Sequence, residues 1–591
     1  MDSTRHRDPL PDRRVMGYGP RPPGSSMPSR PTGRWSSLIA FCIPLGVCAV
    51  LWWPIPIHLD TWHVHTAFAD SHVWVFDRLA RGAFDALPLA DCMAGFPTAQ
   101  TMRAIGWAPG LLAILLRPLL GALGAANLIQ LVSLPLSAVA ATALIRRTTD
   151  SDPVVAALLG AAYGLCPTLL GTFATGEISN TQAWILPALL LAVHLARQGS
   201  MRALLAVFTI GLISPFTSPY YALALPFLGG FAVLPGLRHT ATRARSLTVL
   251  GVLAASLLPA WPYYSGDAAG GRASLFRPAR ARDLFPAELP HPAPVAQPET
   301  LLWHSAPAPG SDVETLHVTA LGVALLALAL WGLWRQRRAP GRTMGLALVA
   351  GGVLAALGPV LYAGGQLRGL GSTALPLPVA LLEAVDWPTR QGGLYFRYAV
   401  LAELGLVVLG AMALRRRRHA RWVAAAVLVL HVAEGVRASG PWSERTRSPV
   451  HGRTLLEGLA GHDGAVLELP VQGPTDGWFG QGALLRAVYH QRPTTALPRA
   501  IQDRRHPVHL VVRDAFRQSD PEQVGAVLRS AGYRLVVLPE RLVPHVDPPF
   551  SILSAALGPP DHDDGLYVWD LGPTEVRCAP ALDRTTHPAS P

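Results

Sequence analysis

Leu394 to Arg418 reads LYFRYAVLAELGLVVLGAMALRRRR, and this stretch decides the architecture. From Leu394 to Leu414 its charges are Arg397 and Glu403, and the run then ends on the arginines Arg415 to Arg418. About 20 largely apolar residues suffice for a helix to cross a bilayer, and arginines gather on the cytoplasmic side of such helices. The same pattern recurs on both sides of this stretch. Apolar blocks lie at Ser36–Ile57, Ala125–Ile145, Pro153–Thr175, Thr181–Ala196, Ala203–Ile213, Tyr220–Leu237, Ser246–Tyr263, His317–Trp334, Thr343–Tyr362 and Trp422–Val436. Trp107–Leu120 is apolar but short and holds Pro109, Arg117 and Pro118, so it is expected to be re-entrant or to lie along the outer surface. The expectation is a mainly α, polytopic bundle of about eleven to thirteen spans.

Composition agrees. Half of the 591 residues are hydrophobic and 15% are charged, against about 25% in soluble domains. The net charge of +12 comes from arginines in short clusters between apolar blocks, not from a basic stripe interleaved with aromatics, so nucleic acid is not an expected partner. The five cysteines form no CxxC pair, which supports neither a disulfide framework nor a metal site. One set of loops carries Arg146/Arg147, Arg197/Arg202, Arg238/Arg243/Arg245, Arg335 to Arg342 and Arg415 to Arg421, while Gly176–Asn180 and Ser214–Pro219 carry none. That asymmetry places the N-terminus in the cytoplasm and the opposite loops outside. The domains expected are a disordered tail at 1–35, a membrane domain at 36–438 with external loops 58–105 and 264–316, an external α/β domain at 440–575, and a tail at 576–591. The external domain rests on strand-length runs at Ala465–Leu469, His509–Val512, Arg534–Leu538 and Leu566–Trp569, with helices at Ala483–His490 and Pro521–Ala531 between them.

Loop 58–105 concentrates Asp60, Asp70, Asp77, Asp85 and Asp91 with His58, His63, His65 and His72. Carboxylates beside a membrane are costly unless solvated or paired, so this density implies a polar cavity. A helix over Ala69–Arg81 puts Asp70, Trp74 and Asp77 on one face, where a carboxylate can act as general base towards a hydroxyl. His63 and His65 match no established metal spacing; a divalent metal is conceivable there, but no cofactor is expected. Arg390 and Arg397 stand at the outer end of a membrane helix, where guanidinium forks suit phosphate oxygens or aromatics anchor the interface. Glu177 is expected to face the same cavity. Glu403 needs a partner or water inside its span, and His431, Glu434 and Arg437 share a helix face.

At these residues the chain resembles the GT-C superfamily, integral-membrane glycosyltransferases that use polyprenyl-phosphate-linked sugars, and within it the YfhO-like branch. The resemblance runs through Asp70-Ser-His-Val-Trp74, Gly95-Phe-Pro97, Trp107-Ala-Pro109, Leu116-Arg-Pro118, Ala126-Asn127, Arg146-Arg147, Gly176-Glu177, Gln182-Ala-Trp184 and Pro187. It continues in Ser218-Pro-Tyr-Tyr221, Trp387-Pro-Thr-Arg390, Val466-Leu-Glu-Leu-Pro470 and Tyr533-Arg-Leu-Val-Val537. It covers residues 36 to 571, and order counts for more than any one string. The loop lacks the paired Asp-Asp or Asp-Glu of better-known members. By position the resemblance makes Asp70 the base, with Asp60 its rival, and His72, Trp74, Glu177, Arg390 and Arg397 substrate-binding. It implies a polyprenyl-phosphate-linked sugar as donor, an envelope glycan, lipid or protein as acceptor, and the outer face of the bacterial cytoplasmic membrane as the place of transfer. The rival readings are a lipid or glycan transporter and an envelope-assembly scaffold.

Overall fold

A computed structural model of the chain describes residues 32–64, 67–81, 106–237, 240–260, 318–337, 341–358, 395–439, 447–469, 482–494, 521–546 and 549–574, with short pieces between. Arg390, the strand expected at 509–512, most of loop 264–316, residues 1–31 and the tail 576–591 lie outside the described residues, while the last four residues of the expected tail 1–35 are helical. The protein is mainly α, with apolar helices suited to a membrane and a small sheet near the C-terminus.

The first helices are α1 (Thr32–Leu51), α2 (Ala67–Ala80), α3 (Trp107–Thr149), α4 (Pro153–Gly164) and α5 (Pro167–Ala174). Ile178–Thr181 forms a single turn, α6, before α7 (Ile185–Arg197), α8 (Met201–Ile213), α9 (Pro219–Leu237) and α10 (Thr240–Leu257). Then come α11 (Val323–Arg335), α12 (Arg342–Ala356), α13 (Ala399–Leu414) and α14 (Ala420–Ala438). Among the described residues four helical stretches are long and apolar enough to cross a membrane, five if the bent pair α4–α5 is one span, and four more apolar helices are shorter. The chain is a multi-pass membrane protein. Among the described residues this test of length and composition passes fewer helices than the apolar blocks suggested, and one block is divided at Pro167.

Two helix breaks shape the site. The block expected as one span from Pro153 breaks at Leu165–Cys166 into α4 and α5, bent by 47°. Pro167 has no N–H for an α4 carbonyl and steers the residue before it out of the helical region. The Trp107–Leu120 segment is helical and runs on into the next block through Gly121, at φ 69° and ψ 176°, which only glycine adopts without strain. Leu111, Leu115 and Leu119 of this first half are exposed, an apolar strip with nothing of the protein upon it among the described residues.

Packing order follows apolarity. Every residue of α13 is buried, as befits a helix hydrophobic all round, whereas α1 leaves Trp35, Leu38 and Val50 exposed. Small residues let α12 reach α13 closely: a Cβ on Gly405 would stand 2.6 Å from the Gly345 carbonyl oxygen. Without a hydrophobic drive between helices in lipid, such backbone approach supplies the dispersion contact that holds them.

The C-terminal part forms an α/β domain. Strand β1 (Trp62–Val64) pairs antiparallel with β2 (Arg447–Pro449), tying this domain to the loop after α1. A four-stranded sheet follows from β3 (Ala465–Glu468), β4 (Tyr533–Pro539), β5 (Asp561–Asp563) and β6 (Leu566–Asp570), in the order β5-β6-β4-β3. β3 and β4 are parallel and the other pairs antiparallel. Helices α15 (Arg453–Leu459), α16 (Ala483–His490), α17 (Pro521–Ser530) and α18 (Phe550–Leu557) complete it. α16 packs Ala483, Leu484, Ala487 and Val488 into one apolar cluster with Val73, Trp74 and Phe76 of α2.

Candidate functional site

The site is built where α2, α16 and the kink of α3 meet. The spacing of seven that puts Asp70 and Asp77 on one face of α2 also makes them a clamp. The Gly482 N–H, at the start of α16, donates to Asp70 Oδ2, and Gln491 Nε2, just past its end, donates to Asp77 Oδ2 at 3.1 Å. A carboxylate at a helix N-terminus is favoured by the unsatisfied N–H groups there. Asp70 is thus 1% exposed, with its Oδ1 3.6 Å from His63 Nε2. The face of α2 that the periodicity identified, expected to border a polar cavity, is covered at Asp70 by a helix 412 residues further on. Trp74, between the clamping acids, is 1% exposed in the apolar cluster, so it does not lie open to cover a sugar. His72 is 7% exposed and packs edge-on to Phe76 and against Gly106.

Asp60 is different. It is exposed, and its turn is pinned to α3 because Asn127 Nδ2 donates to the carbonyls of Leu59 and Trp62, each at 2.8 Å. Asp60 lines a cavity of about 250 Å³ with Leu119, Leu120, Arg453 and Tyr489. A second cavity of about 410 Å³, sharing Gly121, Ala122, Val488 and Tyr489 with the first, holds Asp77, Arg81 and Arg117. Asp77 takes Arg81 Nε at 2.8 Å on one oxygen and Arg117 Nη2 at 3.0 Å on the other. Arg453 bonds Glu457 at 2.8 Å and lies over the Tyr489 ring at 5.3 Å. Burial, joined by the negative charges of Glu457, Asp60 and Asp77, pushes the Tyr489 phenol up to about 12 against the pull of Arg453. The cleft thus offers a solvated carboxylate, two arginines sharing one acid, and an adjoining exposed apolar strip.

Glu177 and Arg397 belong elsewhere. Arg397 Nη2 meets Glu177 Oε2 at 2.7 Å, and the guanidinium lies 4.6 Å from the Tyr220 ring centroid. Asn180 Nδ2 donates to the same Glu177 oxygen at 2.8 Å, Ser218 donates to Asn180 at 2.8 Å, and the Tyr221 hydroxyl donates to the Asn180 carbonyl. Glu177 is 1% and Arg397 6% exposed. Glu177 was expected in the cavity and is instead part of a buried network in the bundle; nothing in the sequence paired two residues 220 apart. The pattern also missed Tyr489, Arg453 and Gln491, which come from the far end of the chain. Arg81 and Arg117 were visible, but not their shared acid. Glu403 and His431 are fully buried, 3.7 Å apart. Among the described residues no group of three or more His, Cys, Asp or Glu could hold a metal.

No family model matches the sequence, and no curated protein matches it. Solved structures do resemble it. Arabinofuranosyltransferase AftD from Mycobacteria superposes over 92% of this chain and 42% of its own, at 16% identity and a TM-score of 0.52. The chain has the GT-C fold. It therefore spans less than half the length of that transferase. Two looser likenesses are the archaeal oligosaccharyltransferase AglB from Archaeoglobus fulgidus and ArnT from Cupriavidus metallidurans. The first has 12% identity, covers 86% of this chain and 70% of its own, and has a TM-score of 0.45; for the second these are 13%, 90%, 97% and 0.41. Within the GT-C fold, the α2–α16 clamp and the Asp60 cleft lie at the end of the bundle away from the Arg-rich loops: α1 leads to the cleft from Ser36, which Arg146 bonds at 3.2 Å.

Proposed function

We propose that the protein is a membrane glycosyltransferase of the YfhO-like branch, transferring a sugar from a polyprenyl phosphate to an envelope glycan, lipid or protein on the outer face of the cytoplasmic membrane. The observation that carries this is the cleft: an exposed, pinned Asp60 next to the Arg81–Asp77–Arg117 cluster and the exposed strip Leu111–Leu115–Leu119. The strip offers a surface to an isoprenoid chain, and the two guanidiniums offer forks to its phosphate.

In this reading Asp60 takes the proton of the acceptor hydroxyl as its oxygen bonds the anomeric carbon. The bond from that carbon to the donor phosphate breaks with its electron pair, and the configuration inverts. Charge builds on the leaving phosphate, where Arg81 and Arg117 stabilise it. Asp60 is preferred to Asp70 because Asp70 already accepts the α16 N-terminus and is closed off from solvent. Transfer of a radiolabelled sugar from a polyprenyl phosphate to envelope material tests the reading on protein in nanodiscs. Asp60→Asn should abolish it and Asp70→Asn should not; the reverse result moves the base to Asp70. A sugar or lipid that crosses the bilayer without being transferred would instead favour the transporter.

A further inference from the structure

The far side of the clamp holds a third cavity, of about 340 Å³, between the α/β domain and β1. Its walls bring together His63, His451, Arg486 and Arg541, with Gly482 opening α16 at its inner end. Gly482 has φ +85°, and a Cβ there would sit 2.8 Å from Arg486 Nη1 and 3.8 Å from Arg541 Nη2, so both guanidiniums converge on the helix end. Two like charges that face one helix end are eased by anions beside them, and a carboxylate is already there. The anions already present are accounted for. Glu468 takes Arg486 Nε and Nη2 at 2.9 and 2.7 Å, Glu540 at the rim stands 3.4 Å from His562, and His451 stands 3.3 Å from Asp564. That leaves Asp70, which accepts the Gly482 N–H and is the acid whose charge acts on Arg541, itself exposed to solvent. The surroundings are positive: burial first, then Arg541, His451 and Arg486, drive His63 down to about 3, so its ring is neutral at physiological pH.

We propose that this cavity is a phosphate-binding site, separate from the Asp60 cleft, in which the Asp70 carboxylate stands in for part of the ligand. An incoming phosphate takes a fork from Arg541 and a contact from Arg486 Nη1, and it competes with Asp70 for the α16 N–H groups. Arginine suits this role because its planar donors match two phosphate oxygens at once. The proposal does not rest on glycosyl transfer, since a phosphate site at a domain interface serves a phosphorylated glycan or a lipid headgroup equally. Its distinctive consequence is that two substitutions act with opposite sign. Removing the cation weakens binding, and removing the internal competitor strengthens it.

Isothermal titration of the full chain in phosphatidylcholine nanodiscs with inorganic phosphate tests this. The wild type should show saturable binding, Arg541→Gln should weaken it roughly tenfold or more, and Arg541→Lys should recover only part. Asp70→Asn, which keeps an acceptor for Gly482 but loses the charge, should tighten it a few-fold, by about the worth of a charge at a helix end. Arg81 and Arg117 offer phosphate a competing site, so Arg117→Gln is titrated in parallel. Binding that survives in Arg541→Gln but disappears in Arg117→Gln overturns the proposal, as does no saturable binding in the wild type, or weaker binding in Asp70→Asn. Repeating the titration with phosphatidylglycerol added separates the sources: competition supports a lipid headgroup, and unchanged binding supports a soluble phosphate. Elution volume on gel filtration confirms that each variant is folded.

Discussion

Two acid–arginine clusters serve the same end of the molecule in opposite conditions. In the bundle, Glu177 and Arg397 are almost without exposure, and Asn180 and Tyr220 complete their contacts. In the cleft, Asp77 is as deeply buried, but its partners Arg81 and Arg117 keep side-chain exposures of 39% and 28%. The difference teaches that chemistry alone does not mark a site. A buried pair of this kind holds helices together, and closed off from solvent it is not open to a ligand. A half-open pair can trade one partner for another at little cost, because the surrounding water already screens it.

The largest effect expected is on rate. Asp60→Asn should cost about 10²–10⁴-fold in sugar transfer while leaving the unfolding midpoint within experimental error, because Asp60 is exposed. Comparable loss in Arg397→Met at unchanged stability would break the comparison by giving the bundle cluster a chemical role. Next in size is stability. Arg397→Met should lower it by about 3–5 kcal/mol, since Glu177 is left buried and charged, and adding Glu177→Gln should restore much of that loss. Denaturant unfolding in detergent reads both. Arg117→Gln should do the opposite, weakening donor binding by about 1.5–3 kcal/mol in a titration while Arg81 keeps Asp77 satisfied.

A pH effect sharpens the same contrast at the domain interface. The folded pKa of His63 is depressed to about 3 by burial and then by Arg541, so the unfolded chain binds the proton first as pH falls. The stability tied to neutral His63 is full above its ordinary value near 6.5 and is lost progressively as pH drops towards 3. Glu468 adds to this lower down: burial would raise its pKa, but Arg486 and His490 hold it below the usual range, so its contribution fades in acid. Unfolding midpoints between pH 7 and 4 should therefore fall, and less so in His63→Gln. The smallest effect belongs to Arg421→Ala. Its pair with Asp152 is exposed and screened by solvent, so the thermal unfolding midpoint should stay within experimental error.

Much of the architecture was legible in the chain. The run from Leu394 to Leu414 announced a helix long and apolar enough to cross a membrane, the arginines after it marked one end of the bundle, and Ala483–His490 was read to the residue as a helix. Local rules reach that far because apolarity and period act over a few turns. They reached Asp70, Trp74 and Asp77 as one face of α2, but not what covers that face. They also missed the break at Cys166, although Pro167 was in view, because the apolar block continued across it.

The sequence by itself thus determined which segments seek lipid, which end of the bundle gathers arginine, and that acids crowd the first long loop. Only the tertiary structure decided which acid stays open. Asp60 and Asp70 are ten residues apart and alike in kind, yet α16 arrives from the far end of the chain to bond one through the Gly482 N–H and leave the other facing solvent. Burial is set by whatever packs last on a surface, and a partner 412 residues distant leaves no mark in the local pattern.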